Sequence, residues 1–308
     1  MPNKPNKWIA VLLVIFFPPI ALMYVGRLGW AGIYLLVAFA VGVLEEFFLR
    51  ETFIEAVISV TFMVICVVHV YRLALNYPNE RLRPAYSRWY GLLGTAAGWI
   101  LVAFVIRIFI VEPFYVPSGS MLPTIIPQQT HLIVQKWGYG NYGTHYGFYD
   151  IHLFRLPISA SLRRGDIIVF EFPQDRSVHY VKRLIGLPGD KIDYRGKKLS
   201  INGEPVALRQ TTDYFDSKTL LSTPMFIESL ESIEYPILLR NNAPSNIVAP
   251  LTFPFSEKCS YDSEGIICVV PEGHYFTLGD NRDDSSDSRM WGFVPADHII
   301  GKILYVVP

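Results

Sequence analysis

The sequence predicts a multi-pass α-helical membrane region followed by a mainly-β extracytoplasmic domain of coiled antiparallel sheets. Three observations carry that expectation. Composition splits: residues 1–111 are strongly apolar, whereas 112–308 have the mixed make-up of a water-soluble domain. Four long stretches of the first part carry no formal charge. In the second part, short apolar stretches alternate with turn signals, and no long amphipathic helix pattern occurs. The 27 basic and 27 acidic side chains cancel, so the charge balance does not point to nucleic acid as a partner.

A spanning helix takes about 20 mostly apolar residues. The apolar stretches place helices at about 8–25, 28–44, 53–71 and 89–111. The first contains Pro18-Pro19, which should kink or break it. Only Gly26 and Arg27 separate it from the second, so the two form a tight hairpin or a partial insertion. The last reaches Val111 if Arg107 snorkels or faces protein. No small-x-small cleavage site follows the first run, so the N-terminus does not read as a removable signal peptide.

Basic residues in short loops set orientation. Arg72, Arg81, Arg83 and Arg88 follow the third run, whereas Glu45, Glu46, Arg50 and Glu51 precede it. The arginine-rich loop is therefore expected in the cytoplasm, and the last helix carries residue 112 onward to the far face. Four full spans would put the N-terminus outside too, against Lys4 and Lys7; a first run that fails to span removes the conflict.

In 112–308, strands are expected at His131–Gln135, Asp166–Phe172, Lys198–Ile201, Gly265–Val270 and Lys302–Val307. Asn202-Gly203 offers a type I′ hairpin turn. Residues from about 204 to 264 read as an accessory insertion. Cys66 lies in an apolar run, where a free packed thiol is usual. Cys259 and Cys268 can close a short loop; an extracytoplasmic setting favours a disulfide, the alternative being two unpaired thiols.

Three features carry chemistry. Ser120 sits in Pro117-Ser118-Gly119-Ser120-Met121-Leu122-Pro123, where proline and glycine imply a non-helical turn exposing the hydroxyl. A serine hydroxyl is a weak nucleophile and needs a base beside it. Lys182 stands between Tyr180 and Leu184 on one face of a strand, and apolar neighbours lower a lysine pKa by desolvation. Periodicity alone favours a solvated or salt-bridged lysine. Gly279–Arg289 supplies Ser285, Ser286 and Ser288 beside four aspartates and two arginines. It fails the EF-hand pattern; a buried pair of Asp287 with Arg289 or Arg282 is compatible with it.

Four segments, in this order, resemble bacterial type I signal peptidases, the membrane-bound serine proteases that remove signal peptides from exported proteins. They are Pro117–Thr124, Arg164–Phe170, Tyr180–Asp190 and Gly279–Arg289 with its continuation Trp291-Gly292-Phe293-Val294-Pro295. The resemblance covers 112–308, implies a catalytic β domain there, and assigns roles. Ser120 is similar to the nucleophile and Lys182 to the general base. Ser285 is similar to the serine that orients the lysine, and Ser118 to the residue whose hydroxyl joins the Ser120 N–H in the oxyanion hole. Asp287 and Arg289 match a supporting pair, while Asp284 and Ser286 fall at variable positions. The family prefers small residues before the cut, and Phe114, Val116, Met121 and Tyr180 are candidates for the shallow pockets. The resemblance also implies no cofactor or metal. It implies three partners: signal peptides of exported preproteins, the lipid bilayer and the protein-export machinery. The location it implies is the bacterial inner membrane, with the catalytic domain on the periplasmic face. Four apolar runs exceed the one or two usual spans, so the resemblance assigns nothing to 1–87.

Other readings compete. Gly138-Tyr139-Gly140-Asn141-Tyr142-Gly143 matches G-x-G-x-x-G, but no helix follows. The seven histidines lack metal-ligand spacing, and no G-x-S-x-G or S-x-x-K occurs. His179, nearest to Lys182, is turned away by strand alternation. A catalytically silent membrane scaffold would not need Ser120, Lys182 and Ser285 together. A specialised Ser-Lys peptidase with few clients stays open.

Overall fold

The computed structural model describes residues 4–45, 53–78, 80, 82–128, 130–146, 149–241, 243 and 252–307. Glu46, Arg50, Glu51 and Arg81, used above for orientation, lie outside these. The chain forms two units, Met1–Ala103 and Phe104–Pro308.

The first unit is helical: α1 Lys7–Phe16, α2 Pro18–Tyr24, α3 Leu28–Leu44, α4 Phe53–Leu75 and most of α5 Trp89–Phe109. The run 8–25 breaks at Pro18-Pro19, as the two prolines led to expect. Phe17 is extended (φ −166°, ψ 107°), because the residue before a proline avoids helical geometry and Pro19 removes a donor. The resulting pieces have 10 and 7 residues, roughly 15 and 10 Å at 1.5 Å per residue. Asn6 caps α1, accepting from Trp8 N–H at 2.9 Å, and its own N–H donates to the Tyr24 hydroxyl at 3.0 Å. The start of α1 thus lies beside the end of α2. Gly26, at φ +76°, ends α2 with a Schellman pair, Arg27 N–H to Leu22 O and Gly26 N–H to Met23 O. Tyr86 donates to the Gly26 carbonyl at 3.1 Å, and the Arg83 guanidinium covers the Tyr24 ring at 4.4 Å. Ala10, Val14, Leu22, Cys66 and Val70 form the buried seam. Among the described residues, α4 and α5 are long and apolar enough to cross a membrane.

The second unit is mainly β. Its largest sheet has seven strands in the order Val111–Tyr115, His131–Gln135, Ile299–Val307, Ile167–Phe172, Asp175–Gly186, His274–Leu278 and Val294–Pro295, all neighbours antiparallel. Ile168, Val169, Phe170, Leu184 and Ile185 are buried, which explains continuous apolar runs where a half-solvated strand would alternate. A five-stranded sheet runs Cys259–Tyr261, Gly265–Val269, Lys191–Arg195, Lys198–Ile201 and Glu204–Pro205. Asn202 and Gly203, at φ +55° and +87°, make its type I′ turn. Cys259 and Cys268 face each other across two of its strands and are bonded as a disulfide, with Cα atoms 4.1 Å apart.

The described part of 204–264, expected as an accessory insertion, holds several strands. Strands Ala207–Gln210, Met225–Leu230 and Ile233–Leu238 form a third sheet. Leu230, Tyr235, Ile237 and Leu239 share one core with Ile185, Phe276, Leu278 and Phe293. The segment therefore closes the main core. The G-x-G-x-x-G stretch leads into a strand, Asn141–Tyr146, with no phosphate-binding helix after it. Arg107, near the end of α5, faces protein: its Nε donates to Thr144 Oγ1 at 2.7 Å, and Glu112 stands 3.3 Å away. Glu112 also pairs with fully buried Lys136 at 2.9 Å. Arg107 is thus satisfied within the second unit, and the helix ends at Phe109 rather than Val111.

Candidate active site

Ser120 lies in a short 3₁₀ turn, Gly119–Met121, that follows the first strand of the large sheet. Met121 anchors the turn. It is fully buried and packs with Val116, Ile125, Leu132, Val134, Val169 and Ile300. Its expected place in the substrate pocket is therefore corrected: a three-residue turn that presents Ser120 outward must aim its neighbour inward. Asn281 holds the turn from the other side. Its backbone N–H donates to Ser120 O at 3.0 Å, and its side-chain amide donates to Gly119 O at 3.1 Å.

Lys182 comes from the strand Asp175–Gly186. Along one side that strand pairs with Ile167–Phe172, where Ile168 faces Lys182. On its other side only Arg183, Leu184 and Gly186 meet the strand His274–Leu278. The edge before Arg183 therefore carries no partner strand among the described residues. Lys182 Nζ stands 2.8 Å from Ser120 Oγ and 3.1 Å from Val181 O. The side chain is 4% exposed, and its ammonium lies 5.1 Å from the Tyr180 ring centre. Burial pushes its pKa down to about 8, Arg289 adding to the effect while Asp287 and Asp280 oppose it.

The segment 279–289 braces both residues. Arg289 grips Asp287 with two donors at 2.7 and 2.8 Å, and Asp287 also accepts Gly279 N–H at 3.0 Å. Burial would raise the Asp287 carboxyl, but these contacts hold it below the usual carboxylate range. Arg282 does not join that pair. It is fully buried against Glu228 of the third sheet, which also accepts the Tyr235 hydroxyl. Asp280 takes two donors from Arg183, at 2.8 and 2.6 Å, and a third from Thr124. A Cβ on Gly279 would stand 2.1 Å from Ser285 Oγ and 2.6 Å from Ser120 O, so only glycine fits. The Ser285 hydroxyl is buried there without a hydrogen-bond partner. Its expected bond to Lys182 is absent, because the lysine's contacts run to Ser120 and Val181 instead.

A groove of about 450 Å³ runs past the dyad. Phe114, Val116, Tyr180, Ser118, Ser120 and Lys182 line it, so three of the four expected pocket residues are present. His179 lines it too, although alternation was expected to turn it away. Asp284 and Ser286 complete the rim. Ser118 Oγ lies 3.3 Å from Ser120 Oγ. Among the described residues no group of three His, Cys, Asp or Glu side chains is arranged to hold a metal.

Sequence reasoning missed Asn281, Asp280, Arg183 and Glu228 as parts of this assembly. One signal was available for the first two: Gly279–Arg282 is more polar than a plain turn between two buried strands requires. Glu228 gave none, because it meets Arg282 across 54 residues of sequence.

A buried amine 2.8 Å from a serine hydroxyl beside an open groove is the arrangement that a serine hydrolase without histidine requires. The comparisons agree. The family model described as signal peptidase, peptidase S26, matches residues 89–307. Signal peptidase I of Buchnera aphidicola subsp. Baizongia pistaciae is 34% identical over 75% of this chain and 78% of its own length. The Rickettsia typhi protein of the same name is 39% identical over 67% of this chain and 75% of its own. A crystal structure of a signal peptidase I from Enterococcus faecalis shares 29% identity, covers 47% of this chain and 98% of its own, and has a TM-score of 0.27. The chain belongs to the signal peptidase S26 family, and it is a serine peptidase that removes signal peptides.

Proposed function

We propose that the protein is a membrane-bound endopeptidase in which Ser120 is the nucleophile and Lys182 the general base, cutting exported precursors after small residues of the Ala-x-Ala type. The 2.8 Å separation between a buried amine and the Ser120 hydroxyl carries this reading. Neutral Lys182 takes the hydroxyl proton as Ser120 Oγ attacks the scissile carbonyl. Ser120 N–H and the Ser118 hydroxyl hold the oxyanion, one such donor being worth about 3 kcal/mol. The lysine then protonates the leaving amine, and water hydrolyses the acyl-enzyme. Asp287 and Arg289 keep the segment in place, and Ser285, whose buried hydroxyl has no hydrogen-bond partner, is the residue assigned to orienting the lysine. The precursor adds as a strand along the unpaired edge before Arg183, with Phe114, Val116 and Tyr180 restricting side-chain size.

In this reading α4 and α5 span the bilayer, the turn between them faces the cytoplasm, and the β unit is extracytoplasmic. The contacts of Tyr86 with Gly26 and of Arg83 with Tyr24 support a cytoplasmic α2–α3 turn. The contact between Asn6 and Tyr24 supports an α1–α2 hairpin that enters and returns, leaving Lys4 and Lys7 on the same side. α3 then makes the remaining crossing. Partners beyond the precursor are lipid and the export machinery, and the division into a membrane region 1–111 and a catalytic domain 112–308 follows.

The test is processing of a defined Ala-x-Ala precursor by the full chain in detergent. Wild type should release the mature protein, whereas Ser120→Ala and Lys182→Ala should not. Full turnover by either variant would overturn the assignment.

A further inference from the structure

The groove wall contains one carboxylate, Asp284, at the end of the turn Arg282–Asp284. Its position is stiff although its side chain is exposed. Arg282, two residues earlier, is fully buried on Glu228, and Asp284 N–H donates to Asn281 O at 3.0 Å. Asn281 in turn holds the Ser120 turn. Asp284 is therefore fixed relative to the nucleophile. Its neighbours in the groove are otherwise apolar or hydroxylic, apart from His179 and Lys182. One counter-charge touches it: Arg240 Nη2, at 3.2 Å, with the two side chains 51% and 61% exposed. An ion pair that open to water contributes little, so either member can exchange partners.

We infer that Asp284 sets a charge preference on precursor residues flanking the cut, favouring basic over acidic ones, with Arg240 as its exchangeable counter-charge. The inference rests on the reading of the Ser120 groove as the peptide site. A fixed charge on a half-hydrated rim attracts or repels a substrate charge a few residues from the scissile bond. Asp284 is the acidic side chain in a groove whose apolar residues Phe114, Val116 and Tyr180 restrict size rather than charge.

Three precursors decide it, identical except for Lys, Gln or Glu at the two positions after the cut. They are processed by the full chain in detergent at low and high salt. Wild type should favour Lys over Glu by roughly fivefold in kcat/KM at low salt, and by less at high salt. Asp284→Asn should bring that ratio to about one, Asp284→Glu should retain it, Asp284→Lys should invert it, and Arg240→Gln should enlarge it. A role of Asp284 confined to folding would lower all three rates together and leave the ratio alone. Equal rates for Lys and Glu in wild type, or a preference that survives Asp284→Asn, would overturn the inference. The Gln precursor separates the two levels: its Ser120-dependent processing tests the groove reading, and the Lys-to-Glu ratio tests Asp284. Absence of any Ser120-dependent processing overturns both.

Discussion

A lysine amine in water keeps its proton until about pH 10.4, so roughly one in 2,500 is neutral at pH 7. Lys182, pushed down to about 8 by burial, is neutral in roughly a tenth of molecules at that pH. Only the neutral amine can accept the Ser120 proton, and its fraction grows with pH. Processing should therefore rise through about pH 8 and level off above it, read as kcat/KM of a precursor without titrating groups near the cut. A rise seen only above pH 10 would remove the buried-base account. Ser120 and Lys182 were legible through the four motif segments taken together; their flanks are compatible with an exposed turn and a dry strand face but alone favoured a plain loop and a solvated lysine. Met121 and Ser285 were not. Which way a side chain leaves a three-residue turn, and whether one hydroxyl or another fills a hydrogen-bond position, is decided by atoms from distant strands.

At the scale of elements, the strand Met225–Leu230 changes the meaning of a whole segment. Read in sequence, 204–264 is irregular and looks dispensable. In the fold its Glu228 is the acidic partner of Arg282 among the described residues, and both are buried. Removing one member of a buried pair leaves an uncompensated charge, at about 3–5 kcal/mol. Glu228→Gln should lower stability by about that much in chemical denaturation of the full chain, and should impair processing through Arg282, whose turn carries Asn281 and Asp284. An unchanged midpoint would mean the pair does not support the site. Strand positions themselves were well read at 131–135, 198–201 and the end of the chain, where apolar runs are bounded by turn residues. The pairing of the C-terminal strand between His131–Gln135 and Ile167–Phe172 was not, because register depends on partners far away in sequence.

For the whole molecule, the arginine-rich turn after α4 predicts which face each unit occupies. A cysteine introduced by Arg209→Cys, on an exposed strand, should react with a membrane-impermeant reagent in spheroplasts. Cys66 is buried and the other two cysteines are bonded, so labelling reports the new thiol. Protection until lysis would mean that the β unit faces the cytoplasm. The split of the chain into an apolar helical part and a β part was legible in composition and periodicity, whereas the chemistry was legible only through the resemblance carried by four motif segments in their order. What tertiary structure decided is proximity and burial: an amine 2.8 Å from a hydroxyl 62 residues away, a core shared with the segment read as an insertion, and the return of α2 so that Tyr24 meets Asn6. Those depend on through-space contacts between segments that sequence keeps apart, and the desolvation that lowers the Lys182 pKa exists only once the chain has packed around it.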